Sequence, residues 1–246
     1  MTFCVAMKIE SGIVAISDSR ITSGTEQTLA RKVTVHQKEN HSLFLMTSGL
    51  RSVRDKALTY FEEALCETDE KFEKLYKAVN HFTEQIRKVA EEDKPAIEDS
   101  GLSFNLHSII GGQLEKDDEH KLYLVYPQGN WIEVTQETPY QIIGEGSYGK
   151  PILDLGLCYA SSPITALKVG FLAFDATRRS ATDVGFPIDV VYYPKDSYKI
   201  IEYQYEKNDL EEVCAWWRER LRSSLEELPA SWTNNVLAPF NTIPGR

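Results

Sequence analysis

The sequence predicts an α+β fold in which antiparallel sheets are layered between helices. Three observations lead there. Apolar runs of strand length open the chain and return after residue 100. Apolar residues at helical spacing fill the stretch between, and appear again after residue 150. The runs of strands alternate with pairs of helices, which argues against βαβ units and their parallel sheet.

Phe3 to Ile9 reads as a strand, Glu10-Ser11-Gly12 as a turn and Ile13 to Ser17 as a second strand. Val33 to Gln37 and Leu43 to Thr47 read as another pair around Asn40. These are mostly continuous apolar runs, so both faces are expected to be covered. The period then changes. Val53, Ala57, Leu58, Phe61, Ala64 and Leu65 mark a helix from Leu50 to Cys66, and Phe72 to Ala90 repeats the pattern. Asp93 to Ser100, acidic and containing Pro95, reads as a loop. Strands are expected at Leu106–Leu114, Lys121–Tyr126, Trp131–Val134 and Gln141–Ile143. A helix follows over Pro151–Tyr159, and another from Pro163 to about Arg178, capped by Ser162. Ile188–Tyr193 and Tyr198–Tyr205 form a late strand pair, and Leu210–Leu228 an amphipathic helix. No linker or repeat splits the chain. One domain over residues 1–228 and an irregular tail over 229–246 are expected.

Composition narrows the function classes. With 27 basic and 37 acidic residues the formal net charge is -10, and no basic stripe is present, which disfavours nucleic acid as a partner. No apolar run reaches the length of a membrane span, and the N-terminus lacks the pattern of a signal peptide, so a cytoplasmic protein with no membrane partner is expected. Cys4, Cys66, Cys158 and Cys214 are widely spaced and fit small core residues rather than a disulfide framework. The five histidines form no close ligand pair, so no metal and no other cofactor is expected.

The chemistry is concentrated at the start. Thr2 is small enough for Met1 to be removed, which would leave a threonine at the N-terminus. Such a residue joins a nucleophilic hydroxyl to a base, its own α-amine, whose unperturbed pKa is about 7.7–8.0. Asp18 ends the second strand of the first hairpin and so returns close to Thr2. Lys32 and Lys8 are the cations at hand, and Ser48-Gly49 joins a strand to a helix, where a backbone N–H can hold an oxyanion. Taken singly, each feature also fits a solvated turn, a surface pair or an ordinary helix entry.

Thr2, the run Ser11-Gly12-Ile13-Val14-Ala15-Ile16-Ser17-Asp18-Ser19-Arg20, Thr22, Gly24 and Arg31-Lys32-Val33 resemble the opening of proteasome β-type subunits, with Asp18 sixteen residues after Thr2 as in that family. Gly144 to Asp154 and Val184 to Asp189 resemble later signatures of the Anbu branch, the bacterial ancestral β-subunits. The resemblance extends to about residue 228. It implies a four-layer αββα sandwich of the N-terminal-nucleophile hydrolases and a threonine-type peptidase acting on peptides or peptide-like amides. It also implies self-assembly into rings or open spirals. Carried over by position, Thr2 is the nucleophile, Asp18 and Lys32 the charged pair that activates it, and Gly49 the oxyanion donor. Thr22 and Gly49 pair with an extended substrate. Ile21, Thr47 and Arg51 shape the specificity pocket, the last hinting at acidic or polar substrate side chains.

Three departures stand beside the match. The loop before Lys32 is two residues shorter than in proteasome subunits. A supporting serine is replaced by Glu145, and the late Asp-x-x-Ser-Gly pattern reads Ala181-Thr182-Asp183-Val184-Gly185. Glu145, Ser147 and Asp183 are therefore the candidates for the supporting shell, and a catalytically weak, self-assembling scaffold is the alternative to an efficient hydrolase. Gly144-Glu145-Gly146-Ser147-Tyr148-Gly149 is a literal GxGxxG, but the element after it is helical, so a tight turn is the better reading than a dinucleotide site.

Overall fold

Two antiparallel sheets lie face to face, with a pair of helices on each outer side. The computed structural model describes residues 2–23, 26–67 and 72–241. In chain order the strands are β1 (Phe3–Ile9), β2 (Gly12–Asp18), β3 (Arg20–Ser23), β4 (Glu26–Leu29), β5 (Val33–Lys38) and β6 (His41–Gly49). Helices α1 (Arg51–Glu67) and α2 (Leu75–Asp99) follow, then β7 (Leu106–Gln113), β8 (Lys121–Val125), β9 (Trp131–Glu133) and β10 (Tyr140–Gly144). Helices α3 (Lys150–Gly156) and α4 (Pro163–Ser180) precede β11 (Ile188–Pro194) and β12 (Ile201–Tyr205). Helices α5 (Glu211–Glu227) and α6 (Asn234–Asn241) close the chain.

The first sheet runs β10-β1-β2-β11-β12 and the second β5-β6-β7-β8-β9, with β3-β4 as a separate hairpin. Period-two alternation explains the layering. Cys4, Ala6, Ile13 and Ala15 of the first sheet meet Phe44, Met46, Ile109 and Leu122 of the second in one buried cluster. The alternate residues of the second sheet, Leu43, Leu45, Leu106 and Ile110, pack instead with Val53, Phe61, Phe82 and Ile86 of α1 and α2. On the far side, β1 and β2 pack against α4, where the Phe3 and Phe174 rings lie 6.2 Å apart. The αββα sandwich is thus the observed arrangement. It accounts for the mostly apolar runs of β1 and β2, since both faces of those strands are buried.

The structure departs from the sequence reading in four places. Helix α2 runs through Pro95 to Asp99, where a loop was expected. Proline there forfeits one helical hydrogen bond, while Ile97 packs against the core and the helix end is closed by Gly101 N–H to Glu98 O (2.9 Å) and Leu102 N–H to Ile97 O (3.2 Å). The β3–β4 hairpin has no apolar alternation to announce it, and the sequence reading passes over it. The tail contains a 3-10 turn at Ser231–Thr233 and helix α6, so it is not irregular throughout. Finally, Cys158 is exposed, whereas Cys4 and Cys214 are buried as expected; the Cys66 side chain lies outside the described residues.

The chain divides into two compact units, Met1–Glu206 and Lys207–Arg246. A 3-10 turn at Lys207–Leu210 separates β12 from α5. Within the second unit Trp216, Leu221, Leu225, Leu228 and Trp232 are exposed, and the Arg220 guanidinium lies over the Trp216 ring.

Candidate active site

The first hairpin brings the two ends of its own sequence together. Cys4 pairs with Ser17 across β1 and β2, so the next residues along, Phe3 and Asp18, also oppose each other. The Phe3 N–H donates to Asp18 Oδ1 at 2.9 Å. Asp18 therefore sits one peptide from Thr2, fully buried. The same oxygen accepts Lys32 Nζ at 2.6 Å, and Lys32 Nζ also donates to the Arg20 carbonyl at 2.7 Å. An ammonium has three donors, so these two bonds leave one N–H for the pocket that Lys32 and Thr2 both line.

Burial pushes the Asp18 carboxyl up from the ordinary carboxylate range, while the Lys32 ammonium and the Phe3 amide oppose that shift. Asp18 Oδ2 is buried with no partner in good hydrogen-bond geometry; the Gly185 amide acts on the carboxyl in the same sense as the Phe3 amide. The pair is coupled, and each charge is tolerated in the interior because of the other. Lys8, the other cation considered, is instead paired with Glu119 at 3.0 Å.

Thr2 is held by its backbone. Its carbonyl accepts the Glu145 N–H at 2.7 Å. Gly144 faces Phe3 across β1 and β10 and has φ +86°. An added Cβ at Gly144 would come 2.0 Å from the Thr2 oxygen, so only glycine permits this approach. This is the structural use of the Gly144–Gly149 motif, as the tight-turn reading has it.

Gly49 ends β6, and α1 begins two residues later. The Thr47 N–H donates to the Lys32 carbonyl at 3.1 Å, at the mouth of β5. Alternation along a strand directs the Gly49 N–H to the same edge. That edge, past the start of β5, opens on the pocket. The turn is closed by Leu50 N–H to Asn105 O at 2.8 Å.

The resulting pocket, about 380 Å³, brings together Thr2, Ile21, Lys32, Thr47, Gly49, Arg51 and Glu145 of the sequence-derived candidates. Asp18 lies beneath it, reached through Lys32. Two candidates are elsewhere. Ser147 lines a neighbouring hollow with Tyr140, Lys150 and Asp154, and its N–H donates to Glu145 Oε1 at 2.9 Å. Asp183 is in the turn whose Thr182 carbonyl accepts Arg20 Nη1 at 3.2 Å, and it does not line the pocket. The Thr22 backbone pairs with Gln27; its side chain lies outside the described residues.

Sequence reasoning missed Arg54 and Asn105 and gave Arg20 and Ser48, named only within motifs, no role of their own, although all four line the pocket. Arg54 is three residues after Arg51, a spacing that puts both on one helix face and could have flagged it. It also missed Asp189, buried on β11. Asp189 Oδ2 accepts Ser19 Oγ at 2.5 Å, and Oδ1 lies 3.4 Å from Arg31 Nε and accepts Gln204 Nε2 at 2.9 Å. Ser19 and Arg31 are the chain neighbours of Asp18 and Lys32. One carboxylate thus clasps both flanks of the ion pair.

No protein-family model matches the chain. A structure of Anbu (ancestral beta-subunit) from Yersinia bercovieri superimposes with a TM-score of 0.85 and 31% identity, covering 93% of this chain and 98% of that one. The chain belongs to the Anbu family. Other Anbu structures agree: one from Hyphomicrobium sp. strain MC1, a Gly-1 mutant, has a TM-score of 0.84 at 28% identity, with 93% of this chain and 98% of that one covered. The helical assembly of the Anbu complex from Pseudomonas aeruginosa has a TM-score of 0.86 at 29% identity, with coverage of 93% and 97%. Among curated proteins, proteasome subunit beta 2 of Pyrobaculum islandicum is 22% identical over 200 residues, 81% of this chain and 94% of that one. The Anbu family and the proteasome β subunits thus enclose the fold from two sides, one near and one distant.

Proposed function

We propose that this Anbu chain is a threonine-type amide hydrolase, with Thr2 as nucleophile once Met1 has been removed. The observation that carries the reading is the Lys32 ammonium, held between Asp18 and the Arg20 carbonyl in the pocket that Thr2 lines. Thr2 Oγ1 attacks the substrate carbonyl, and the Thr2 α-amine takes the hydroxyl proton. The Lys32 charge lowers the cost of ionising the hydroxyl, and the Gly49 N–H receives the developing oxyanion. The amide C–N bond then breaks, the leaving amine takes the proton, and water hydrolyses the threonine ester. An extended peptide or peptide-like amide pairs with the backbone at Thr22 and Gly49. Glu145 supports the loop behind Thr2. The domain is read as residues 1–228, working in the cytoplasm without a cofactor, nucleic acid or membrane. Among the described residues no helix is long and apolar enough to cross a membrane.

The Pseudomonas aeruginosa relative, described as a helical assembly, supports a self-associated, ring-like or open-spiral oligomer here. A weak or inactive scaffold is the second reading. It is favoured by Glu145, which lines the pocket where the resemblance to proteasome subunits calls for a supporting serine. Intact mass before and after an epoxyketone, which requires both hydroxyl and amine of a terminal threonine, tests the pair. A single adduct on Thr2, absent in Thr2→Ala, supports the hydrolase. A Met-free chain that stays unmodified by any epoxyketone sinks it and leaves the scaffold.

A further inference from the structure

The pocket is basic on a chain that is acidic. Arg20, Arg51, Arg54 and Lys32 line it against one acid, Glu145, although the chain carries a formal net charge of -10. Three of these four cations have a nearby carboxylate, but two of the three share one. Lys32 is matched by Asp18 at 2.6 Å. Arg51 and Arg54 share a single carboxylate, Asp55, which lies 3.3 Å from Arg51 Nε and 2.7 Å from Arg54 Nη2. Asp55 itself stays outside the pocket lining. Arg20 spends a donor on the neutral Thr182 carbonyl. Glu145 is engaged through Oε1 by the Ser147 N–H. Arg54 is the best placed of the three guanidinium groups. Its side chain is 17% exposed, so solvent screens it less than Arg51, at 62%.

We propose that this pocket selects a carboxylate on the acyl side of the scissile bond, bound by Arg54 and Arg51. The proposal rests on Thr2 being the nucleophile, since that fixes which substrate residue the pocket receives. A guanidinium offers paired N–H donors that match a carboxylate's two oxygens. The two arginines share one aspartate, so an incoming carboxylate supplies the missing counter-charge. A lysine or arginine side chain in the same place would meet like charge and be rejected. On the acyl side the source is an Asp or Glu side chain, because a peptide's carboxyl terminus leaves with the amine.

Three peptide epoxyketones that differ only in the residue before the warhead, Glu, Leu or Lys, test the proposal by their rates of adduct formation. Labelling by the Glu probe at least tenfold faster than by the Leu probe, with the Lys probe slowest, is the expected result. In Arg54→Gln and Arg51→Gln/Arg54→Gln the Glu-to-Leu ratio should fall towards one. Equal wild-type rates, or a Glu preference that survives in the double variant, would overturn it. Should no probe label Thr2, the hydrolase reading fails. Pocket selectivity is then read from the arginine Nε resonances on titration with acetyl-glutamyl and acetyl-leucyl peptide amides. Equal response to the two peptides sinks the carboxylate proposal.

Discussion

Gly144 lies so close to Thr2 that a single added Cβ would stand 2.0 Å from the Thr2 carbonyl oxygen. Gly144→Ala is therefore expected to push the Thr2 peptide out of place and to strain a residue held at φ +86°. A loss of about 1–3 kcal/mol in stability should follow. Labelling of Thr2 should drop by more than the loss of folded protein explains. Chemical denaturation and adduct rate, measured on the same sample, check this. An alanine variant that labels at the wild-type rate would show that Thr2 is not positioned by that contact.

The Asp18–Lys32 pair separates stability from chemistry. Lys32→Met leaves the Asp18 carboxylate buried and unpaired, which should cost about 3–5 kcal/mol. Asp18→Asn/Lys32→Met removes both charges and should recover much of that loss without recovering any labelling. Urea unfolding of the single and double variants reads the first effect, and epoxyketone adducts the second. A double variant that still reacted would remove the pair from the mechanism.

Burial raises the Asp18 carboxyl above its ordinary value of 3.8. The unfolded chain thus releases this proton at lower pH than the native protein does. Between 3.8 and the raised native value the native state holds the extra proton, so this group's contribution to stability declines as pH rises through that window and is level above it. Labelling should show an acid limb above pH 3.8, because a neutral Asp18 no longer anchors Lys32. Rates between pH 3.5 and about 7 locate that limb. An acid limb that is unchanged in Asp18→Asn would assign it to another group.

His120 predicts the opposite slope. It is fully buried, with Nε2 2.8 Å from the Ile9 carbonyl and Nδ1 unpartnered. Burial pushes its pKa below 6.5, as it does for His36. The unfolded chain takes up protons first as pH falls through 6.5, so stability supplied by the neutral imidazoles is lost on acidification. Melting temperature should fall between pH 7 and about 5.5. The slope should flatten in His120→Gln, and an unaltered slope would exclude His120 as its source.

Asp189 touches neither Thr2 nor the pocket, yet it clasps Ser19 and Arg31 on either side of the ion pair. Asp189→Asn should keep the fold and loosen the ends of the 19–32 segment. Faster amide exchange is expected at Ser19, which donates to Pro187 O, and Ala30, which donates to Ser19 O. Labelling should slow along with it. Exchange confined to wild-type rates at both amides would reduce Asp189 to an ordinary buried acid.

The sandwich was legible because its strands are short, apolar on both faces and punctuated by turns, and because helices come in pairs. Thr2 and Asp18 were legible because their nearness is local: a two-residue turn at Glu10–Ser11 makes Phe3 oppose Asp18 by counting alone. Lys32 was chosen over Lys8 through the family resemblance, since both sit near the hairpin in sequence. Pro95 misled as a stop signal because an intrinsic preference was overridden by packing of Ile97 and the hydrogen bonds after it.

By itself the sequence determined the layered class and the hairpin that joins Thr2 to Asp18, which follow from periodicity and local register, while Lys32 and Gly49 joined Thr2 as candidates through the family resemblance. Tertiary structure alone decided that Arg54 and Asn105 line the pocket with Thr2, that Asp183 does not, and that Asp189 clasps a pair whose neighbours lie up to 170 residues away. The physical reason is that strand pairing between distant segments and the direction in which α1 leaves β6 set those positions. Neither is written in the periodicity of any one element.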